Sequence, residues 1–474
     1  MTILASLLLP MALSLAAYVA AKRSPYIAGY ISAAALLPLL AISSAVAFGG
    51  GTVAEGAMDG FNLLSFKVTP FNGVFLLTVA LVGVFVALYS PPYMEHRGHE
   101  LGRDTSIFYL TYGFFLGGLA GAFAAANLIT VYIFIEVALV ASLFQILYYG
   151  YGDRVRISVM YLVWSHVGAL LMLAGFLLLY LRGVYYVPLL SGVAPGVDQA
   201  AFLLILVGSL IKMAALGVHM WLPYVHAEAP TPLSALLSPV LVGVGGYIIA
   251  AVGMYLVPPG WERWVVYYAL ATAVYGGLMA YLQKDLKRLF AYSTVSQMGY
   301  MLLGVSLKNA YGYTAVALLY LSHGLGKAVL FMTAGYLIMH LHTRDLEKMG
   351  GLYGWRPELA GASVVGFLNL AGVLTIGMIS EILLTVAYAS YFRSNYVYYI
   401  PYALMLVVTG VYAFNTTRLV FFGPHRYEGK GPIDIALASI TAVAFISVLF
   451  LLPPFSSALA DNIYNTAREL GLWR

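Results

Sequence analysis

Runs of about twenty apolar residues follow one another through this 474-residue chain, separated by short polar breaks, and a bilayer core about 30 Å thick takes around 20 such residues per crossing helix. Backbone amides in hydrocarbon must be satisfied within their own segment, so such runs fold as helices and the chain reads as an all-α polytopic membrane protein. Charged residues make up 9% of the sequence, against about 25% in soluble domains, and no soluble domain fits between the spans. Cysteine is absent, which excludes disulfides, thiol chemistry and iron–sulfur ligation by this chain. The net charge of +5 is spread singly through the loops and forms no nucleic-acid patch.

About fourteen spans are expected, at 1–21, 27–47, 71–90, 107–126, 128–149, 157–181, 201–222, 232–256, 264–283, 288–306, 312–341, 361–390, 398–422 and 433–452. The first has the length of a signal peptide but no basic leader, and "KRSPY" follows it, so it reads as a retained helix. Loops after odd-numbered spans hold Lys22, Arg23, Arg97, Arg103, Arg154, Arg156, Lys284, Lys287, Arg288, Arg344, Lys348, Arg356, Arg418, Arg426 and Lys430. Opposite loops hold only Lys67, Arg182, Arg263, Lys308, Arg393, Arg468 and Arg474, an asymmetry that predicts both termini outside. The stretch between spans two and three reads as a short hairpin or interfacial loop. Tyrosines near span ends, as in "SNYVYYIPY", read as interfacial anchors.

Four ionisable residues stand inside apolar runs: Glu136, Lys212, Lys327 and Glu381. A charge at mid-bilayer costs at least about 2.5 kcal/mol and faces a partner or a water-filled cavity. Two acids and two bases on four spans suit a row of exchangeable protons, each stabilised by a neighbour of opposite sign. His323 lies four residues before Lys327 on the same helix face, and His219 lies seven after Lys212, about two turns along one face. His166, also within a span, is a further candidate relay station. A histidine in a span serves equally well as a satisfied packing residue, and Glu136 with Lys212 could be a fixed pair locking two helices.

Helix interruption is the second signal. Gly217 precedes "HMWLP" in span seven, and Gly372 and Gly377 lie near Glu381 in span twelve. Broken helices at membrane depth line ion sites in transporters, and one in each half suggests two inverted five-helix repeats, spans four to eight and nine to thirteen. The organisation expected is residues 1–106 for three N-terminal helices, 107–256 and 264–422 for the two halves, and 433–474 for span fourteen and a tail.

"VHMWLPYVHAEAPTPLSALL" and "LQKDLKRLFAYSTVSQMGYMLLG" resemble signatures of the antiporter-like membrane subunits of respiratory complex I, of Mrp-type cation/proton antiporters and of membrane-bound hydrogenase-type complexes. "HGLGKAVLFMTAGYLI" and "EKMGGL" continue the likeness. The resemblance implies that Glu136 controls the ion-paired state of Lys212, that Lys327 is reached through His323, and that Glu381 is the terminal charge of a broken twelfth helix. Glutamate there, and a chain ending about twenty residues after span fourteen, point to the branch lettered M in complex I. His219 and His226 become relay residues. Gly243 stands where many relatives carry a lysine, and Tyr224 replaces an aspartate beside His226.

The function implied is proton translocation in a redox-driven pump of the prokaryotic plasma membrane. Its energy would come from partner subunits: further antiporter-like subunits and a redox module holding iron–sulfur clusters, with flavin, a nickel–iron centre or quinone as further candidates. No cofactor or metal is expected in this chain. An Mrp-type Na⁺/H⁺ antiporter subunit without a redox partner is the second reading, although Glu136 and Glu381 on separate helices make no oxygen cage for sodium. A scaffold subunit whose pathway has lapsed is the third.

Overall fold

A computed structural model describes residues 2–192, 195–393, 396–424 and 434–469; Arg426, Lys430, Arg474 and the first residue of the last expected span lie outside them. The described chain is nearly all helix. Helices α1 (Ile3–Ala21) and α2 (Pro25–Gly49) precede a two-stranded antiparallel hairpin, β1 (Val53–Glu55) with β2 (Phe66–Val68), in the register Val53 to Val68. The expected hairpin is therefore present. Then follow α3 (Pro70–Leu101), α4 (Ser106–Ala124), α5 (Leu128–Tyr149) and α6 (Arg154–Tyr180). Thr69, Asn127 and Asp153 cap α3, α5 and α6 with side-chain oxygens on otherwise free amides.

Span seven is two pieces, α7 (Gln199–Lys212) and α8 (Trp221–Glu228). After it run α9 (Thr231–Leu256), α10 (Trp261–Tyr281), α11 (Leu286–Ser306) and α12 (Ala310–Leu341). Span twelve is also divided, into α13 (Pro357–Leu370) and α14 (Ile376–Phe392), and α15 (Tyr399–Phe421) and α16 (Ile435–Leu449) complete the bundle. A 69° bend separates α16 from α17 (Pro453–Glu469), which lays Leu459, Ile463 and Ala467 on the bundle. Asn462 there donates to the terminal carbonyls of α2, Ala47 O at 3.1 Å and Phe48 O at 2.9 Å.

Among the described residues ten helices are long and apolar enough to cross a bilayer, or eleven with the bent α16–α17 pair. The expected count of fourteen exceeds this for a physical reason. Spans seven and twelve are each broken into short helices, and α11, though continuous, carries the polar residues Ser293, Thr294, Ser296 and Gln297 that lower its hydropathy. Helices α9 and α12 are buried along their spanning windows and form the centre. Helix α9 winds through π-helical turns at Leu237–Leu241 and Ile249–Gly253, a feature that widens the helix and accompanies functional sites.

Candidate functional site

The first helix break is built around Lys212, the last residue of α7. The chain passes Ala214 (φ 51°) and Gly217 (φ 86°) before α8 starts at Trp221. An alanine in the left-handed region costs about 1 kcal/mol, and no sequence rule marks it. The freed backbone groups find partners. Trp221 Nε1 donates to Ile211 O at 3.0 Å, Leu216 N donates to Thr272 Oγ1 at 3.4 Å, and the Tyr268 hydroxyl donates to Leu216 O. The expectation that Lys212 and His219 share one continuous face is corrected here, because the helix stops at Lys212 and His219 sits in the linker. His219 is held there by Tyr275, whose hydroxyl lies 3.1 Å from Nε2. The Lys212 side-chain nitrogen is buried and has no hydrogen-bond partner among the described residues.

Glu136 on α5 is not in ion-pair contact with Lys212. Its Oε2 lies 2.9 Å from His166 Nδ1 on α6, while its other oxygen is buried without a partner. The pair stands at the side of the bundle, with the His166 side chain 43% exposed and that of Glu136 21%. Glu136 also opens onto a groove of about 690 Å³ between α4 and α5, lined by Thr111, Phe114, Tyr132, Val140 and Phe144. The structure thus joins His166 to Glu136, which residue spacing alone does not show.

His323 and Lys327 do share a face of the unbroken α12, and they reach different neighbours. His323 Nε2 lies 3.2 Å from Ser238 O on α9. Lys327 Nζ donates to Phe290 O on α11 at 2.7 Å and to Ser293 Oγ. His226 is fully buried, stacked 4.8 Å from the Phe331 ring, with neither nitrogen hydrogen-bonded. Tyr224 turns outward, where the Arg288 guanidinium lies 5.6 Å from its ring centre, so it gives His226 no polar contact. At Gly243 a β-carbon would run into the Tyr320 ring. Tyr320 donates to Val240 O at 2.9 Å and stacks on Phe75 at 4.4 Å. The space of the expected lysine is therefore filled with aromatic rings from α12 and α3.

The second break runs from Ala371 to Thr375, with Gly372 (φ 62°) and Leu374 (φ 54°) in the left-handed region. Gln297 Nε2 donates to Leu370 O at 3.0 Å and Ser322 Oγ to Asn369 O at 2.9 Å, satisfying the end of α13. Gly377 lies beyond the break, inside α14, where its close neighbours are Asn369 O and Ser322 Oγ. The Glu381 carboxyl folds back against the α-carbon of Gly372, leaving no room for a β-carbon there. Each break thus places one ionisable group beside left-handed backbone in a polar, partly unwound segment.

The reading of tyrosines as interfacial anchors misses many that lie in the core, among them Tyr247, Tyr313 and Tyr320. Tyr300 on α11 and Tyr412 on α15 are fully buried in the second half, where the Tyr300 hydroxyl donates to Met405 O at 2.9 Å and lies 2.9 Å from Thr409 Oγ1. For Tyr300 the signal in the sequence is a cluster of hydroxyl and amide side chains in an otherwise apolar span, "AYSTVSQMGY"; Tyr412 lies outside it.

A family model described as NADH:quinone oxidoreductase/Mrp antiporter, transmembrane, matches residues 125–405. NADH-quinone oxidoreductase subunit M of Pseudomonas aeruginosa is 29% identical over 88% of this chain and 82% of its own length. F(420)H(2) dehydrogenase subunit M of Methanosarcina mazei is 29% identical over 74% of each chain. A chain of the structure of respiratory complex I from Thermus thermophilus with bound NADH superposes with a TM-score of 0.83, at 24% identity, over 99% of this chain and 100% of the other. The match spans both helix breaks and Glu136, Lys212, Lys327 and Glu381, and the chain belongs to the NADH:quinone oxidoreductase/Mrp antiporter membrane-subunit family.

Proposed function

We propose that this chain is the M-type, proton-translocating subunit of a complex I-like pump, and that Glu136, Lys212, Lys327 and Glu381 are its relay, with His219, His226 and His323 between them. The observation that carries the reading is Lys212: a buried side-chain nitrogen without a hydrogen-bond partner among the described residues, at the end of a helix broken by left-handed residues. A group so placed exchanges a proton readily, because no fixed partner holds its charge. Glu136, bonded to His166, has one free oxygen with which to bias Lys212 as it swings between the two. From Lys212 the proton passes by His219 and water rather than through α9, where Tyr320 occupies the expected lysine's place. It then passes His323 to Lys327 and Glu381.

The paired breaks support two inverted halves, 107–256 and 264–422, with 1–106 and 433–474 flanking them. The loop charges support both termini outside, in a prokaryotic plasma membrane. Energy would reach the relay from partner membrane subunits and a redox module that carries the iron–sulfur and other cofactors, by bias along the row of charges. Replacing Lys212 with Met in the assembled complex, reconstituted in vesicles, tests this. Proton translocation per electron is expected to fall while electron transfer and assembly persist, and an unchanged ratio sinks the reading.

A further inference from the structure

Half-helix α8 is eight residues long, Trp221–Glu228, too short to hold its shape or its place without neighbours. The last four carbonyls of a helix have no partner inside it, and Pro230, with no N–H, cannot continue the bonding. At the end of α8 these carbonyls are nevertheless taken. Ala229 N donates to Val225 O at 2.7 Å and Ser234 Oγ to His226 O at 3.4 Å. The next three are reached from distant segments. Arg344 Nη1, from the loop after α12, donates to Ala227 O; Tyr151 N, from the loop after α5, donates to Glu228 O at 2.7 Å; and Lys287 Nζ donates to Ala229 O at 2.6 Å.

Lys287 is the unusual member of this set. It lies in the first turn of α11, where a lysine ordinarily extends toward water, yet it is fully buried and turned inward onto the chain just past α8. The relay as read above does not use it. At its other end α8 is bonded to the first half of its own span: Trp221 Nε1 donates to Ile211 O, one residue before Lys212, and the indole packs 5.7 Å from the Tyr161 ring. Helix α8 is therefore a strut about 12 Å long, held by Lys287 at one end and joined at the other to the turn that carries Lys212.

We propose that Lys287 is a positioning residue for the first helix break. By holding Ala229 O it sets where α8 stands, and through Trp221 it sets where the Lys212 side chain lies. Lys287 takes no proton from the relay in this role; it matters because, on the relay reading proposed above, a displacement of about 1 Å at a transfer site costs about 100-fold in rate. Arg344 and Tyr151 steady the same end of the strut, and only Lys287 reaches its last carbonyl from within the bundle.

The test uses the whole complex in sealed vesicles, reading protons translocated per electron, with hydrogen exchange followed by mass spectrometry in peptides covering 214–229 and, separately, 286–306. Lys287→Met is expected to lower the ratio toward that of Lys212→Met and to speed exchange in 214–229 by about 5- to 150-fold, the factor expected when a buried carbonyl loses its donor, while 286–306 exchanges as in the native complex and electron transfer continues. A lysine that merely seats its own helix gives the reverse, faster exchange in 286–306 and native exchange in 214–229, and that pattern overturns the proposal. Trp221→Phe cuts the other end of the strut. The double variant is expected to fall no further than the lower of the two single variants, because both changes interrupt one line of contacts; losses that multiply would give the two residues separate effects and sink the positioning role. Where Lys287→Met does not assemble, Lys287→Gln, one atom shorter and still polar, is read in its place. If Lys212→Met lowers the ratio and the Lys287 variant leaves it native, the positioning role is wrong and the relay stands. If both leave it native, the relay is overturned and the positioning role with it.

Discussion

Gly372→Ala isolates the geometry of the second break from the chemistry of its carboxylate. Two costs arise. The left-handed backbone at φ 62° disfavours alanine by about 1 kcal/mol. The new methyl also meets the Glu381 side chain, with Cγ 2.8 Å from the β-carbon position and the carboxyl nearer still. Ordinary carbon–carbon contact is about 3.5–4.0 Å, so the carboxyl must retreat by about 1 Å. A displacement of that size at a transfer site costs about 100-fold in rate, whereas about 1–2 kcal/mol of strain leaves most of a folding stability of about 5–15 kcal/mol in place. The expected outcome is a complex that assembles and transfers electrons but translocates protons as poorly as the Glu381→Gln variant, read by acidification of the medium per electron in vesicles. Gly361→Ala is the control, since that glycine has ordinary backbone and nothing within 4 Å of a β-carbon. A Gly372→Ala complex with native proton yield refutes the argument that the break positions Glu381.

Gly243→Lys is expected to block assembly, because overpacking against Tyr320 adds about 1–3 kcal/mol to the charge's own burial cost. Combining it with Tyr320→Ala should recover assembled complex on a native gel, and recovery by Gly243→Lys alone would show that the ring yields. Arg344→Met removes the guanidinium that joins Glu228 at 3.4 Å and Asp285 at 2.6 Å, tying the loops after α8, α10 and α12 together. The solubilised complex should lose about 1–3 kcal/mol of stability, seen as a lower unfolding temperature, and high salt should narrow the difference from wild type.

Much of the candidate site is legible without coordinates, because an isolated charge in a run of leucine and valine is conspicuous: Glu136, Lys212, Lys327 and Glu381 stand out on that ground alone. Gly217 and Gly372 mark the breaks for a similar reason, since only glycine enters left-handed backbone cheaply. Ala214 and Leu374 carry no such mark. Their conformation is imposed by the packing of Trp221, Tyr268 and Thr272 on one break and of Gln297 and Ser322 on the other.

By itself the sequence determined a helical membrane bundle, the rough place of each span and four ionisable groups within the apolar runs, because hydrophobicity and charge are local properties that hydrocarbon reads residue by residue. Partnership was decided only in three dimensions. That Glu136 bonds His166 and not Lys212, that His219 is severed from the helix of Lys212, that Tyr320 fills the place beside Gly243, and that Tyr300 and Tyr412 face inward all depend on which helix lies against which. Side chains from distant spans compete for the same buried volume, and that competition is settled by packing, which no local pattern records.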